Sequence, residues 1–188
     1  MDLEKEFLTD VDSEIKTHKR QGKKRINSKK KGNNNENECR KIFDERFTFT
    51  NFHRSPSSGG FVGGCNFYRK EQLNKSQNLV FVGDIYCARD DFKFTIEHKA
   101  YAEANFWDLF NESSDLHSFM KQSQGDADSV GKSPMLIIKY NNKKRIIFIH
   151  EKPFTPIFTT NYLDKDWNCY WLEDLLKQPS EFFFGEKI

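Results

Sequence analysis

Residues 78–100, NLVFVGDIYCARDDFKFTIEHKA, contain the pattern that decides the fold of this chain. The first half, 79–87, is an almost continuous apolar run that contains Asp84, and it predicts a strand buried on both faces. The second half, 92–99, alternates apolar and polar residues and predicts a strand with one apolar and one polar face. The charged turn ARDD joins them, so the sequence predicts two neighbouring strands.

Asp84 is the residue of this pattern that needs a physical explanation. An ionised carboxylate inside a buried strand costs several kcal/mol unless it is paired or binds a metal ion. Gly83, immediately before it, leaves room for the close approach of another group. On the second strand, Glu97 and Lys99 project from one face because successive side chains alternate. His98 points to the opposite face, and we assign it no catalytic role.

Two interpretations of these residues stay open. In the first, Asp84 forms a purely structural ion pair with Lys99 across neighbouring strands. In the second, Asp84 and Glu97 meet at one edge of the sheet, where two carboxylates repel each other unless a cation lies between them. A small number of hard oxygen ligands suits Mg²⁺, which keeps its waters and accepts phosphate oxygens. Lys99 would then orient water or neutralise charge on a phosphate, which is the chemistry of phosphodiester hydrolysis.

Composition limits the class of protein. With 188 residues, 15% aromatic residues and a mean hydropathy of −0.81, the chain is most simply one polar but folded domain. No apolar run is long enough to span a bilayer, and the N-terminus does not resemble a secretory signal, so we expect a cytoplasmic location. The four cysteines include no CxxC pair, which disfavours a structural zinc site.

A basic segment precedes the folded part of the chain. Residues 16–31, KTHKRQGKKRINSKKK, are nearly free of apolar side chains and cannot bury enough surface to fold alone. The sequence predicts a disordered arm over 1–31 and a folded domain over 32–188 with a helical and aromatic C-terminal extension. The arm is either a solvated tail or an electrostatic contact to a nucleic-acid backbone. Its central basic residues are Lys23, Lys24 and Arg25.

The rest of the chain mixes helical and strand patterns. We expect an amphipathic helix over 36–47, a short strand in FTFTNFHR, an interrupted helix over 101–130 and a hairpin over 133–150. The long helix carries a stripe of Leu116, Met120, Ser123, Ala127 and Val130. The C-terminal part predicts a final helix in DWNCYWLEDLLKQ and an aromatic tail, EFFF. This order predicts an α/β domain with a central mixed β-sheet flanked by helices.

Together these residues resemble the PD-(D/E)XK nuclease superfamily. The motif is present as Asp84 followed by Glu97-His98-Lys99, with Gly83 where the motif usually has proline. The resemblance implies a restriction-endonuclease-like fold, a DNA substrate and dependence on Mg²⁺, for which Mn²⁺ can substitute.

Two further segments extend the resemblance over about residues 32–149. RSPSSGG, at 54–60, looks like the Arg-x-x-x-Ser-Gly loop of Holliday-junction resolvase-like members. FMKQSQGDADSVGKSPMLIIKYN, at 119–141, is similar to the helix and strand of phage-type resolvases, in which a Gln precedes GK-x-P. Gln122 matches that glutamine, and Gln124 is the alternative. The resemblance implies that the loop contacts DNA through Arg54, Ser57 and Ser58.

The resemblance also implies roles at the catalytic site. Asp84 and Glu97 would hold the metal ion, helped by an acid of the upstream helix. That acid is Glu36 or Glu38, of which Glu36 fits the spacing better. Lys99 would stabilise the attacking hydroxide or the scissile phosphate. The glutamine, Gln122, would position water or phosphate.

The expected activity is therefore cleavage of branched DNA such as a Holliday junction. Resolvases of this kind generally act as dimers, because two symmetric cuts need two sites, and the C-terminal aromatics are candidates for that interface. A phage or mobile-element origin would place the protein in the cytoplasm of a bacterial host. One alternative is a linear-duplex or nicking nuclease of the same fold. Another is a non-catalytic DNA-binding protein, against which the intact Asp, Glu and Lys set argues.

Overall fold

The computed structural model describes residues 28–56, 75–103, 111 and 114–185. The chain divides into two compact units, Met1–Lys31 and Gly32–Ile188, and the second contains all the strands described here. The elements are, in chain order, α1 (Ser28–Arg46), β1 (Phe52–Arg54), α2 (Lys75–Phe81), β2 (Ile85–Cys87), β3 (Phe94–Tyr101), α3 (Asp115–Val130), β4 (Ser133–Tyr140), β5 (Arg145–Ile149), β6 (Phe158–Tyr162), β7 (Lys165–Trp171), α4 (Leu172–Leu175) and α5 (Ser180–Phe183).

The strands form one mixed sheet in the order β1-β2-β3-β4-β5-β7-β6. Strands β3 and β4 are parallel, with Glu97 opposite Leu136, and the other neighbouring pairs are antiparallel. Parallel strands need a crossover connection, and α3 lies in the connection between β3 and β4. The predicted α/β class, with a restriction-endonuclease-like central mixed sheet flanked by helices, is confirmed.

Apolar side chains cover both faces of this sheet. On one face, Ile96 and Ile137 pack with side chains of α1 and of the C-terminal helices. On the other, Leu136 packs with Leu116 and Met120 of α3. Because side chains alternate along β3, the residues on either side of Ile96 project toward the face that α3 covers. The two faces of the sheet therefore have separate cores, and the polar residues of β3 lie beneath α3.

Several predicted elements are confirmed. The helix predicted over 36–47 is α1, although α1 already begins at Ser28. The hairpin over 133–150 is formed by β4 and β5. Of the helix predicted over 101–130, Asp115–Val130 is present as α3, with Ser114 as its N-cap. The prediction is wrong at Tyr101, which ends β3, and residues 104–110, 112 and 113 lie outside the described part of the chain. The strand in FTFTNFHR is limited to Phe52–Arg54. No helix in the described part of the chain is long and apolar enough to cross a membrane.

The strand predicted over 79–87 is wrong in its first part. Residues 79–81 end α2 and residues 82–84 form a bend, so only Ile85–Cys87 is a strand. A short apolar run does not by its periodicity distinguish a helix from a buried strand, and here the helix forms. Asp84 therefore lies directly before β2 and not in the middle of a buried strand.

The C-terminal part also differs from the prediction. The helix expected over 166–178 is wrong for its first half, because Lys165–Trp171 is a strand and only Leu172–Leu175 is α4. Strand β6 was not predicted. The turn between β6 and β7 consists of Leu163 and Asp164, with φ values of 54° and 57°. Such turns favour Gly, Asn and Asp, so Leu163 at the first position weakens the turn signal.

The aromatic tail belongs to the core of its own chain. Phe183 and Phe184 are buried, and their ring centroids lie 5.0 and 5.2 Å from that of Phe47 in the loop after α1. Phe184 also forms a β-bridge with Phe92. The suggestion that these aromatics contribute to a dimer interface is therefore wrong for Phe183 and Phe184.

Gly83 is required by the close approach of two backbone segments. Its φ is 73°, and a Cβ at this position would lie 2.6 Å from the carbonyl oxygen of Ile96. A residue with a side chain rarely adopts this conformation, and proline cannot, because its ring fixes φ near about −65°. The backbone geometry therefore explains why this chain has glycine where the nuclease motif usually has proline.

We expect Gly83→Ala to lower the free energy of unfolding by about 2 kcal/mol or more, because both the backbone conformation and the contact with Ile96 oppose a Cβ. Gly125→Ala is the matched control. Gly125 lies inside α3 with no atom within 4 Å of an added Cβ, so alanine should stabilise the protein by roughly 0.5–1 kcal/mol. Urea unfolding followed by circular dichroism measures both changes. A Gly83→Ala protein as stable as the wild type would contradict the predicted constraint.

Candidate active site

Asp84 is held beside β3 by backbone hydrogen bonds. Its N–H donates to the carbonyl oxygen of Ile96 at 2.8 Å, and its own carbonyl oxygen accepts from the N–H of Ser55 at 2.8 Å. The carboxylate oxygen Oδ2 accepts from the N–H of His98 at 2.9 Å. The side chain is buried. Strand β3 and the chain segment that follows β1 therefore fix the position of this carboxylate.

Glu97, Lys99 and Gln122 form one hydrogen-bonded group. Lys99 Nζ donates to Glu97 Oε1 at 2.5 Å, and Gln122 Nε2 donates to the same oxygen at 2.7 Å. Lys99 Nζ also donates to Gln122 Oε1 at 3.1 Å. Glu97 is only 1% exposed, so this contact between β3 and α3 closes over a buried carboxylate. The structure therefore brings together the glutamate, lysine and glutamine predicted from the sequence.

The alternative glutamine has a different environment. Gln124 Nε2 donates to Asp128 Oδ1 at 2.7 Å, and Gln124 Oε1 lies 2.6 Å from Nε2 of His150. The amide of Gln124 is thus hydrogen-bonded to residues other than Glu97 and Lys99. Geometry favours Gln122 over Gln124 as the glutamine of the site.

Lys99 does not form the structural ion pair with Asp84 that was the first interpretation of the sequence. Among the described residues its salt bridge is with Glu97. The charge of Lys99 nevertheless acts on Asp84, because it opposes the rise in pKa that burial causes there. The three groups are therefore close enough to interact, with the lysine hydrogen-bonded to the glutamate.

Burial and neighbouring negative charge make both carboxylates difficult to ionise. Burial, the larger cause, together with the charge of Glu36 raises the pKa of Asp84 to about 6, against the opposing hydrogen bond from His98. Burial and the charge of Asp84 raise the pKa of Glu97 to about 8, although Lys99 opposes this shift. A cation placed between these groups would favour their ionised forms, which burial and neighbouring negative charge disfavour.

Geometry also separates the two candidate acids of α1. Glu36 is buried and pairs with the guanidinium of Arg54, whose Nη2 also donates to Asn33 Oδ1 at 2.8 Å. The side chain of Glu38 is 63% exposed and pairs with Arg145 at 3.0 Å. Of the two, Glu36 is the acid whose charge raises the pKa of Asp84, so it is the better candidate. The sequence contained this signal, because Glu36 lies three residues before the buried Cys39 and shares its helical face.

The predicted DNA-contacting residues are only partly described. Arg54 ends β1 and is half-buried by its contacts with Glu36 and Asn33. Its predicted DNA contact stays a prediction. The other residues assigned to DNA lie outside the described part of the chain, namely Ser57, Ser58, Lys23, Lys24 and Arg25.

One residue near the site was not identified from the sequence. Asp126 lies on α3 one turn after Gln122, and its charge raises the pKa of both Asp84 and Glu97. The i, i+4 spacing from Gln122 was a possible signal, but it is informative only once Gln122 is known to face the site.

Asp84 and Glu97 provide two carboxylates that together fit a hard divalent cation. In the described residues, no three Asp, Glu, His or Cys side chains are grouped so as to hold a metal ion. Mg²⁺, however, commonly uses one or two carboxylates and completes its shell with water and substrate phosphates. Oε2 of Glu97 is buried without a hydrogen-bond partner among the described residues, and such an atom is costly unless another group binds it. Asp84 and Glu97 are therefore suitable ligands.

Comparison with known proteins identifies one family. A family model described as "Phage putative PDDEXK endonuclease" matches residues 27–175, which is well over half of the chain. The match includes the four residues that converge in the structure, Asp84, Glu97, Lys99 and Gln122. No curated protein and no solved structure matches the chain significantly.

The raised pKa values predict how stability depends on pH. Between about pH 4 and pH 8 the folded state holds protons on Asp84 and Glu97 that the unfolded chain does not hold, because the folded pKa values are about 6 and about 8 against 3.8 and 4.5. Raising the pH through this window should therefore lower the contribution of these groups to the free energy of unfolding. In the Asp84→Asn/Glu97→Gln double variant this decrease should be absent.

Urea unfolding of both proteins at pH 5, 6, 7 and 8 in EDTA measures the effect. The double variant should gain stability relative to the wild type as the pH rises, whatever the constant offset caused by the unpaired Lys99. A difference between the two proteins that does not change with pH would contradict the predicted direction.

Proposed function

The chain belongs to the family of phage PDDEXK endonucleases, and we propose that it is a Mg²⁺-dependent endodeoxyribonuclease that cuts branched DNA such as a Holliday junction. Mn²⁺ is expected to substitute for Mg²⁺. The observation that carries this proposal is the buried Glu97 carboxylate, hydrogen-bonded by Lys99 and Gln122 and electrostatically coupled to Asp84. Lys99 and Gln122 contact one of two buried carboxylates. This arrangement suits hydrolysis of a phosphodiester, because the carboxylates can hold a cation and the lysine can stabilise negative charge.

In this proposal Asp84 and Glu97 hold the cation, and Glu36 assists from α1. When bound, Mg²⁺ supplies Lewis-acid activation of water and neutralises charge on the phosphate. Hydrolysis forms a bond from the water oxygen to phosphorus and breaks the bond to the leaving oxygen. Lys99 Nζ forms the salt bridge with Glu97, and from that position it stabilises the negative charge that develops on the attacking oxygen or on the phosphate.

Gln122 has a positioning role in this mechanism. Its amide contacts both Glu97 Oε1 and Lys99 Nζ, so it fixes the orientation of the carboxylate and the ammonium together. Because α3 packs on β3 and β4, a side chain of this helix can hold the two groups in register on a rigid support. The same amide would position water or a phosphate oxygen once substrate is present.

Branched DNA is favoured over a linear duplex by the resemblance of RSPSSGG and of the segment around GKSP to resolvase-like nucleases. Two symmetric cuts need two active sites, so we propose a homodimer, and the phage family suggests the cytoplasm of a bacterial host. A linear-duplex or nicking nuclease is the second candidate within the same fold. A non-catalytic DNA-binding protein is disfavoured, because keeping Glu97 buried beside Asp84 costs stability and would bring such a protein no advantage.

We expect the purified protein to make paired nicks in a labelled four-way junction in Mg²⁺, and none in EDTA. Asp84→Asn and Glu97→Gln should each lower the cleavage rate by roughly 10²–10³, because each removes a ligand carboxylate. Glu38→Gln is the matched control for Glu97→Gln, since Glu38 is an exposed residue outside the site. Denaturing gel electrophoresis of end-labelled strands measures the cuts.

A matched linear duplex separates the possibilities in the same assay. Equal cutting of duplex and junction would replace the branched-DNA proposal with a general nuclease. Binding without cutting in Mg²⁺ and in Mn²⁺ would overturn the enzymatic proposal as a whole.

The basic arm gives an independent prediction. If Lys23, Lys24 and Arg25 bind phosphates, replacing all three with Gln should make the slope of log Kd against log salt shallower by about 0.9 for each phosphate that is no longer neutralised. Fluorescence anisotropy with labelled junction DNA between 50 and 200 mM salt, roughly the range in which such contacts are resolved, measures the slope.

A matched control removes the same charge elsewhere. Lys143, Lys144 and Lys152 are exposed lysines of the folded unit, and their replacement with Gln should leave the slope unchanged. If both triple variants change the slope equally, the effect is due to net charge. If the arm variant leaves the slope unchanged, the arm does not bind phosphates.

A further inference from the structure

Asp126 lies on the side of α3 that faces the site. Gln122, four residues earlier, reaches Glu97 Oε1 at 2.7 Å. Residues four apart on a helix lie one above the other on the same face. Asp126 is half-buried, whereas the nearby Gly125 and Asp128 of the same helix are exposed. The helix thus presents a second polar side chain to β3 one turn along from Gln122.

The topology places this side chain near both carboxylates. Because α3 lies in the crossover between the parallel strands β3 and β4, it runs back along β3, from its end toward its beginning. Four helical residues rise about 6 Å, close to the length of two strand residues. Gln122 lies beside Glu97 and Lys99. Asp126, four residues further along α3, therefore lies nearer to Glu97 and Ile96 than to Lys99. The carbonyl of Ile96 is the one that anchors Asp84.

Two independent observations indicate that this acidic region binds a cation. Glu97 projects toward α3, is only 1% exposed, and has an oxygen, Oε2, without a hydrogen-bond partner in the described part of the chain. In addition, α3 carries the half-buried side chain of Asp126 one turn after Gln122, whose amide contacts Glu97. A buried carboxylate oxygen with no donor, near other acidic side chains, is stabilised by a positive ion.

We propose that Asp126 is a further acidic residue of the cation site, which strengthens binding of a divalent cation by Asp84 and Glu97 and does not contact DNA. This inference rests on the proposed function, because it assumes the cation held by these two carboxylates. Asp126 acts through the ion and its water shell, so its removal should change the concentration of metal that the protein needs. The maximal rate at saturating metal should change much less.

Isothermal titration of the full-length protein with Mn²⁺ alone tests this proposal without DNA. Asp126→Asn should raise the Kd for Mn²⁺ about tenfold, within the range found when groups supporting metal ligands are removed. Asp126→Glu should retain most of the affinity. In the cleavage assay the Mg²⁺ concentration for half-maximal rate should rise by the same factor for Asp126→Asn, and the rate should recover at high Mg²⁺.

Asp128→Asn is the matched control, because it removes the same charge two residues along α3 from a side chain that pairs with Gln124 and Lys165. Its Kd for Mn²⁺ should stay at the wild-type value. Thermal unfolding and circular dichroism verify that each variant is folded. DNA binding in EDTA should be unchanged or slightly tighter for Asp126→Asn, since this variant removes a negative charge near the phosphates.

The outcomes distinguish this inference from the function on which it rests. If Asp84→Asn and Glu97→Gln abolish Mn²⁺ binding while Asp126→Asn and Asp128→Asn both leave it unchanged, the role of Asp126 is refuted and the cation site stands. If Asp84→Asn and Glu97→Gln also leave Mn²⁺ binding unchanged, the cation site itself is refuted. Weaker DNA binding by Asp126→Asn in EDTA would overturn the assignment to the cation.

Discussion

The hydrogen bond from the N–H of Asp84 to the carbonyl oxygen of Ile96 is the contact on which the site depends. It joins the bend before β2 to the middle of β3, so that two carboxylates distant in sequence meet at one strand. The left-handed Gly83 makes this contact possible, because any Cβ there would meet the same carbonyl group. A side chain at 83 would therefore disturb the site without touching either carboxylate.

The buried charges are tolerated because a well-packed sheet surrounds them. Isoleucines of β3, β4 and β5 fill the core on one face, and α3 covers the other face with Leu116 and Met120. Burial of such side chains contributes roughly 1.5–3 kcal/mol each, which offsets the cost of holding Asp84 and Glu97 away from water. The site is thus an electrostatically unfavourable region inside an otherwise apolar framework, as is common at catalytic centres.

The sequence predicted the centre of the site better than its surroundings. Alternation along a strand depends only on local geometry, so Glu97 and Lys99 could be placed on one face and His98 on the other. Gln122 was identified by resemblance, and its contact with Glu97 gives that assignment a physical basis. Asp126 could not be found in this way, because its position depends on how α3 crosses β3, which is a tertiary property. The errors in secondary structure are related, because residues 79–81 and 166–171 have apolar and aromatic patterns that suit either a helix or a strand. For residues 166–171, pairing with β5 and β6 decides in favour of the strand.

The ion pairs around the site have a consequence for folding. Lys99 balances Glu97 and Arg54 balances Glu36, so two of the acids near the site carry internal counterions supplied by the chain. Zinc-finger domains, by contrast, have ligands that repel one another without metal and fold only when it binds. In this protein, Lys99 and Arg54 provide counterions for Glu97 and Glu36 within the folded chain itself. Binding of the cation in the proposed function would therefore be an event separate from folding, and the supply of divalent ions would affect the proposed activity without affecting whether the chain folds.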